Sequence, residues 1–208
     1  MIKLESYIDY TCLKADATAK DIESLVGEAK RRGFYGVCVN PYYVPYAKKL
    51  CEGSDVKVVT VCGFPLGQSV SAVKACEAAV AVSDGADEVD MVINIGALKS
   101  GKDKIVEDDI IAVVKCGVPV KVILEAGLLT DEEIIRAVEI AIKAGADFVK
   151  TSTGFLAGGA TEHAVSLMAK AAKGRIKIKA SGGIRTKEAA LKFIELGADR
   201  IGASRMSE

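Results

Sequence analysis

The sequence has few of the features that several classes of protein require. His163 is the only histidine, so the histidine clusters typical of zinc and nonheme iron sites are absent. Lys plus Arg and Asp plus Glu number 28 each, and the resulting net charge of zero argues against binding to nucleic acid or an anionic membrane. No apolar run approaches the ~18 residues that cross a bilayer, and the first residues lack the apolar core of a signal peptide. We therefore expect a cytoplasmic protein, with His163 at the surface near a helix start.

Two further absences, of paired cysteines and of a dinucleotide-binding motif, exclude other classes of fold. The six cysteines contain no CxxC pair and several lie in apolar runs, so we interpret them as buried thiols in a reducing compartment rather than as disulfides. No GxGxxG motif follows the first predicted strand, which argues against a dinucleotide-binding sheet. The cysteines are Cys12, Cys38, Cys51, Cys62, Cys76 and Cys116.

Short β-rich segments alternate with amphipathic segments along the whole chain, which is typical of repeated βα units. Eight such units favour a single (β/α)8 TIM barrel over residues 1–208, with a short or missing helix after the last strand. The predicted strands lie near 8–11, 35–39, 57–62, 87–93, 120–125, 147–152, 176–180 and 199–203. The predicted helices are 18–32, 41–52, 68–83, 103–115, 130–144, 160–172 and 186–196.

Local signals mark the boundaries of these units. Thr130 followed by Glu133 forms a capping box at the start of the fifth helix, and Gly145 ends it. A Gly-Ala-Asp repeat stands between a helix and the next strand three times, at 85–87, 145–147 and 197–199. Glycine there can adopt the left-handed conformation that ends a helix.

Lys150 interrupts what otherwise reads as a buried strand, in the run DFVKTSTG. A strand of a parallel sheet is covered on both faces and is normally apolar throughout. Burial disfavours the ammonium form of a lysine and lowers its pKa, which prepares the amine for attack on a carbonyl. On this stretch alone, a nucleophile and an interior lysine paired with a carboxylate are equally good interpretations.

The alternation of side chains along the strands assigns further charges to the barrel interior. When the apolar residues are placed outward against the helices, Asp9, Asp90, Lys150 and Lys179 point inward near the catalytic mouth. Barrel interiors are usually filled by Val, Ile and Leu, so these charges predict one polar site. The rule also turns inward Thr11, Cys38, Asn40, Glu88, Lys121, Glu125, Phe148, Ser152 and Lys177, of which Lys121 and Lys177 lie deeper and are expected to form structural ion pairs.

Two glycine-containing loops follow the seventh and eighth strands, at Ser181–Arg185 and Gly202–Arg205. Phosphate sites in these barrels are frequently built from these two loops, where unpaired backbone N–H groups point at an anion. Either loop alone would be read as a turn. Together, at these positions, they predict a phosphate site.

The motifs KTSTGF, KASGGIR, GADEVDMVINIGALKSG, VKVILEAGLLTDEEI, VCVNPYYV, GFPLG and RIGAS resemble those of the DeoC family of class I deoxyribose-phosphate aldolases, in order across the chain. The resemblance implies cleavage of a small phosphorylated sugar, 2-deoxy-D-ribose 5-phosphate, without a metal or organic cofactor. It assigns Lys150 to the Schiff base, and Lys179 and Asp90 to proton transfer. It implies that Asp9 and Thr11 lie near the sugar hydroxyls, and that the phosphate is held by Gly154, Gly182, Gly183, Gly202 and Ser204.

Two alternatives to an aldolase stay open at this point. A phosphosugar isomerase would transfer protons through Glu125 or Asp90, and a sensor would bind phosphosugars without chemistry. The isomerase leaves two inward lysines unexplained, and the sensor leaves a costly charge cluster unexplained. The sequence departs from the family pattern at Leu156-Ala157 and in its short C-terminus, and it is compatible with a dimer or a tetramer.

Overall fold

A computed structural model describes residues 3–156 and 158–207 of the chain, so Ala157 of the Leu156-Ala157 departure lies outside the described residues. Eight parallel strands close into a barrel in sequence order, which confirms the predicted (β/α)8 fold. The strands are β1 Ile8–Cys12, β2 Gly36–Val39, β3 Lys57–Cys62, β4 Glu88–Val92, β5 Val120–Ile123, β6 Phe148–Lys150, β7 Lys177–Ser181 and β8 Arg200–Ala203.

Helices connect the strands, and residues 204–207 after β8 form no helix, as expected. The helices are α1 Ala19–Arg32, α2 Val44–Cys51, α3 Ser71–Ser83, α4 Ile95–Lys99, α5 Asp103–Val114, α6 Asp131–Lys143, α7 Glu162–Ala172 and α8 Lys187–Glu195, with 3-10 turns at Leu4–Tyr7, Pro41–Tyr43 and Ala126–Leu128. The sequence did not predict α4, because five residues are too few to show a helical period. Within 3–156 and 158–207, no helix has both the length and the apolar character needed to cross a membrane.

The predicted helix signals form the expected local structures. The side chain of Thr130 accepts a hydrogen bond from the backbone N–H of Glu133, and the Glu133 carboxylate accepts one from the N–H of Thr130. Gly145, just beyond α6, has φ of 80°, which suits glycine because it has no Cβ. The capping box and the helix end are therefore both confirmed.

The aspartate of each Gly-Ala-Asp repeat has a structural role that the sequence did not reveal. The Asp147 carboxylate accepts a hydrogen bond from the N–H of Val120 at the start of β5, while its own N–H donates to the carbonyl of Val120. The other two aspartates, Asp87 and Asp199, bind Val58 and Ile178 in the same reciprocal way. The repeat therefore ties the entry of every even-numbered strand from β4 to β8 to the strand before it.

Most of the described buried apolar residues fall into two separate clusters, and their division confirms the predicted direction of the strand side chains. The larger cluster lies between the barrel and the helices and includes Val89, Val122 and Ile178. The smaller one lies inside the barrel and consists of Leu13, Cys38, Val59 and Val61, with Phe64 packed against it. The apolar cluster inside the barrel thus comes largely from β2 and β3, and charged side chains share the interior with Val92, Ile123 and Phe148 on β4, β5 and β6.

Candidate active site

Three lysines lie side by side in the barrel interior, on three consecutive strands: Lys121 on β5, Lys150 on β6 and Lys179 on β7. Lys150 and Lys179 are direct partners in the β6–β7 register, as their adjacent strands predicted. A cavity of about 810 Å³ opens at the carboxyl ends of the strands, and Lys150 lines it while Lys121 and Lys179 do not. Lys150 is thus the interior lysine that a bound molecule can reach.

Asp90 on β4 is the carboxylate that joins the three lysines. Its Oδ2 atom lies 2.8 Å from the Nζ of Lys150 and 2.8 Å from the Nζ of Lys179. Its Oδ1 atom lies 2.7 Å from the Nζ of Lys121. Burial alone would raise the pKa of the Asp90 carboxyl, but Lys121, Lys150 and Lys179 outweigh it and hold that pKa well below its ordinary value. Asp90 is therefore an anion that two lysines share through one oxygen.

The two lysines that share this oxygen differ in the direction of their pKa shifts. Burial lowers the pKa of Lys150, and the neighbouring cation Lys179 lowers it further, against the opposing attraction of Asp90. Burial also acts to lower the pKa of Lys179, but Asp9 and Asp90 outweigh it and raise that pKa above its ordinary value. Lys179 remains an ammonium ion, whereas Lys150 loses its proton more readily than an ordinary lysine. These are the states that a proton donor and an amine nucleophile need.

A deeper layer of ion pairs completes the interior. Asp9 binds Lys179 and lies 2.9 Å from Arg200, and Glu88 lies 3.0 Å from Arg200 and 2.7 Å from Lys121. Lys121 thus forms the structural ion pairs that were expected of it. Arg200 was not predicted as part of the site, although the alternation along β8, with Ile201 outward, places it inside.

The positive and negative charges of the interior ion pairs are equal in number when Lys150, which faces the cavity, is left out. Lys121, Lys179 and Arg200 supply three positive charges, and Asp9, Glu88 and Asp90 supply three negative ones. A protonated Lys150 would add a fourth cation to a buried site, which low polarity disfavours. Neutral Lys150 leaves this network of ion pairs balanced.

The residues predicted to bind phosphate come together around the same cavity. Gly154, Gly182, Gly183, Gly202 and Ser204 all line it, as does Thr11. Asp9 is fully buried beneath the cavity and bound to its cations, so its contact with a sugar hydroxyl stays a prediction.

Gly182 and Gly183 differ in what surrounds them. A Cβ on Gly182 would stand 2.9 Å from the Cα of Gly159, whereas no atom of the described residues lies within 4 Å of one on Gly183. Both have positive φ, 94° and 81°. The N–H of Ser207 donates to the carbonyl of Arg185 at 3.1 Å, which ties the segments after β7 and β8 together. Gly182 therefore permits close packing against the loop that contains Gly159, and the backbone of Gly183 is accessible from the cavity.

Three other candidates take roles outside the reacting centre. Glu125 is buried in a left-handed conformation at φ of 56°, and its Oε2 accepts hydrogen bonds from the N–H and the hydroxyl of Thr153. Lys177 is exposed and lies 5.4 Å from the centre of the Phe148 ring, so the expected ion pair of Lys177 is wrong within the described residues. Its position at the first residue of β7 puts it at the open lower rim. His163 is exposed beside Asp131 near the start of α7, as predicted.

The chain is similar in sequence to known aldolases, which agrees with a reactive lysine at the cavity. The family model for "DeoC/LacD family aldolase" matches residues 4–206. A deoxyribose-phosphate aldolase of Streptococcus pneumoniae serotype 2 is 57% identical over 205 residues, which cover 98% of this chain and 93% of the relative.

Solved structures agree with the sequence comparison. An aldolase called QR15 superposes with a TM-score of 0.94 at 48% identity, over 98% of this chain and 92% of that one. A deoxyribose phosphate aldolase from Aeropyrum pernix, described as having a unique tetrameric structure, superposes with a TM-score of 0.90 at 39% identity, over 97% of this chain and 86% of that one.

Proposed function

Because the chain belongs to the DeoC/LacD family of aldolases, we propose that it is a class I deoxyribose-phosphate aldolase with Lys150 as its Schiff-base residue. It cleaves 2-deoxy-D-ribose 5-phosphate reversibly to D-glyceraldehyde 3-phosphate and acetaldehyde, and it thereby serves the breakdown of deoxyribose phosphate. The observation that carries the assignment of the site is the position of Lys150, which is the interior lysine lining the cavity and shares Asp90 with a second lysine.

The reaction begins when the neutral amine of Lys150 attacks the C1 aldehyde of the open-chain sugar. The resulting carbinolamine takes up a proton from the relay and loses water, which gives an iminium ion close to the Asp90 carboxylate that bound the lysine. Removal of the C3 hydroxyl proton breaks the C2–C3 bond, and the electron pair moves into the iminium to form an enamine. D-Glyceraldehyde 3-phosphate leaves, C2 takes up a proton, and water releases acetaldehyde from Lys150.

Lys179 and Asp90 supply the proton transfers in this proposal. Neither side chain lines the cavity, but both reach the Lys150 nitrogen through the shared Oδ2 of Asp90. The Lys179 ammonium is the donor and the Asp90 carboxylate is the acceptor of the relay. Proton exchange with the substrate therefore passes through the space next to Lys150.

The phosphate lies at the other end of the substrate, against the backbone of the loops after β6, β7 and β8. The N–H groups of Gly182 and Gly183 and the hydroxyl of Ser204 are the donors, with Gly154 and Gly202 leaving room for the anion. Arg185 and Arg205 line the same part of the cavity and add positive charge. Thr11 and Asp9, on the neighbouring strand β1, serve the sugar hydroxyls.

Reductive trapping tests the covalent step. Acetaldehyde with borohydride is expected to inactivate the protein and to leave an ethyl group on the peptide that contains Lys150. Lys150→Met should lose both activity and label, whereas Lys177→Met, which removes an exposed lysine of the same barrel, should keep both. Label chiefly on another lysine, or activity in Lys150→Met, would refute the assignment.

We also propose that residues 1–208 form one aldolase domain and that the protein is a homo-oligomer. The described tetrameric structure of the Aeropyrum pernix relative supports an assembly of identical chains. Light scattering coupled to gel filtration distinguishes a monomer, a dimer and a tetramer. A monomer at micromolar concentration would contradict the proposal.

A further inference from the structure

Glu88 is a buried carboxylate that the reaction does not use directly. It lies on β4 two residues before Asp90, so it points into the barrel one layer further from the cavity, and it is only 4% exposed. Its Oε2 lies 2.7 Å from Lys121 and 3.0 Å from Arg200, and its Oε1 accepts a hydrogen bond of 2.7 Å from the hydroxyl of Tyr35. The guanidinium of Arg200 in turn stacks 3.4 Å above the Tyr35 ring. Glu88 is therefore held from three sides in one position.

Lys121 bridges this carboxylate and the one at the reacting centre. Its Nζ lies 2.7 Å from Oε2 of Glu88 and 2.7 Å from Oδ1 of Asp90, and the nearest oxygen of Asp9 is 3.9 Å away. A lysine ammonium is a compact charge on a flexible stem, so its position depends on the anions around it. Glu88 and Asp90 together keep Lys121 off Asp9.

In this arrangement the two carboxylate oxygens of Asp90 bind different lysines. Lys121 takes Oδ1, and Oδ2 is left to Lys150 and Lys179. We propose that Glu88 is a positioning residue of the aldolase, which holds Lys121 on Oδ1 of Asp90 and thereby reserves Oδ2 for Lys150 and Lys179. The proposal deepens the proposed function and rests on Lys150 being the Schiff-base lysine.

The ionisable groups around Lys150 come from most of the barrel. Asp90 on β4 contacts Lys150 directly, and Lys179 on β7 and Lys121 on β5 reach it through Asp90. The Cys38 thiol on β2 also acts on it, and Asp9 on β1, Glu88 on β4 and Arg200 on β8 lie further along the chain of ion pairs. Burial and the nearby Asp90 raise the pKa of the Cys38 thiol to about 11, so it is neutral in the working range. Any change in the titration of Lys150 must therefore come from the ion pairs.

The position of Lys121 fixes how strongly Asp90 favours the ammonium form of Lys150. Glu88→Gln removes an anion and releases Lys121, which then competes with Lys150 for both oxygens of Asp90, so the pKa of Lys150 falls. Lys121→Met removes the competing cation, so the pKa of Lys150 rises. Since the neutral amine is the nucleophile, the acid limb of kcat/KM moves to lower pH in the first variant and to higher pH in the second.

The test is the pH dependence of kcat/KM for deoxyribose 5-phosphate in the parent, Glu88→Gln, Lys121→Met and the double variant. We expect shifts of about one pH unit, the spread that folded surroundings commonly impose on a pKa. The double variant should resemble Lys121→Met, because Glu88 has no cation left to hold on Asp90. If the two shifts are additive, so that the double variant returns to the parent profile, the positioning role is overturned. It is also overturned if Glu88→Gln and Lys121→Met both keep the parent profile.

Two controls separate this role from a structural one. Lys177→Met removes a cation from the lower rim without touching a carboxylate, and its profile should match the parent. If Glu88→Gln does not fold, Glu88→Asp keeps the charge but withdraws the carboxylate by one methylene, and it should still move the limb to lower pH. A folded Glu88→Asp protein with the parent profile overturns the proposal.

The role of Glu88 and the Schiff-base role of Lys150 can be tested separately. Trapping with acetaldehyde and borohydride in the parent protein identifies the Schiff-base lysine independently of Glu88. Label on Lys150 together with unshifted variant profiles refutes only the role of Glu88. Label elsewhere in the parent refutes the Schiff-base assignment itself.

Discussion

Replacement of Lys179 by methionine tests the electrostatic relation between the two lysines that share Asp90. Methionine matches the length of the lysine side chain closely but carries no charge. The change removes a cation beside Lys150 and leaves the whole of Oδ2 of Asp90 to the Lys150 ammonium. Both effects favour the charged form of Lys150, so its pKa should rise.

The structure bounds the size of this shift. The Nζ atoms of Lys150 and Lys179 each lie 2.8 Å from the same oxygen, so they are at most twice that distance, 5.6 Å, apart. At an effective dielectric constant of ~20, two unit charges at that distance repel each other by about 3 kcal/mol. That energy corresponds to a pKa shift of about two units. Near neutral pH the fraction of neutral Lys150 should fall by ~10²-fold.

The assay is kcat/KM for deoxyribose 5-phosphate across the pH range from about 6 to 10. A rise in the pKa of Lys150 predicts a deficit that is largest at low pH and narrows by ~10²-fold as pH increases. Loss of Lys179 as a proton donor alone would give the same deficit at every pH. A constant deficit, with the acid limb unmoved, would therefore refute the electrostatic reasoning while leaving a role in proton transfer.

The remaining predictions concern the phosphate loops, the contact of Asp147 with the first residue of β5, and metal dependence. Gly183→Asp should lower kcat/KM for deoxyribose 5-phosphate by at least ~10²-fold and affect unphosphorylated deoxyribose much less, because the new carboxylate repels the phosphate; equal losses would refute the phosphate assignment. Gly182→Ala should lower the melting temperature through its contact with Gly159, and an unchanged melting temperature would contradict that packing. Asp147→Ala should reduce the free energy of unfolding in urea by about 1 kcal/mol without changing kcat/KM, whereas Asp147→Asn retains an oxygen to accept the Val120 N–H; equal stability of the two variants would contradict this role. EDTA should leave the rate unchanged, and inhibition that added metal reverses would contradict a Schiff-base mechanism.

Much of the barrel and of its polar interior was predictable from the sequence, because both depend on short-range regularities. Alternation with a period of two decides which face of a strand a side chain occupies, and it placed Asp90, Lys150 and Lys179 inside correctly. Capping residues are equally local, as Thr130 shows at the start of α6. Short or irregular elements escaped prediction, since α4 has too few residues for a period to emerge.

The partners of the interior charges were decided by the tertiary structure. Alternation places Asp9, Glu88 and Asp90 inside but does not say which lysine each one binds, because that depends on the closure and register of all eight strands. Arg200 on β8 reaches Asp9 on the neighbouring strand β1 and Glu88 on β4 across the barrel. Glu125 likewise has a left-handed backbone, and its carboxylate accepts hydrogen bonds from Thr153, a contact between two loops that the sequence alone does not reveal. The sequence by itself therefore determined that charges fill the barrel. Only the closed barrel decided that Lys150 faces the cavity and shares its carboxylate with a second lysine, because these contacts depend on distances between strands.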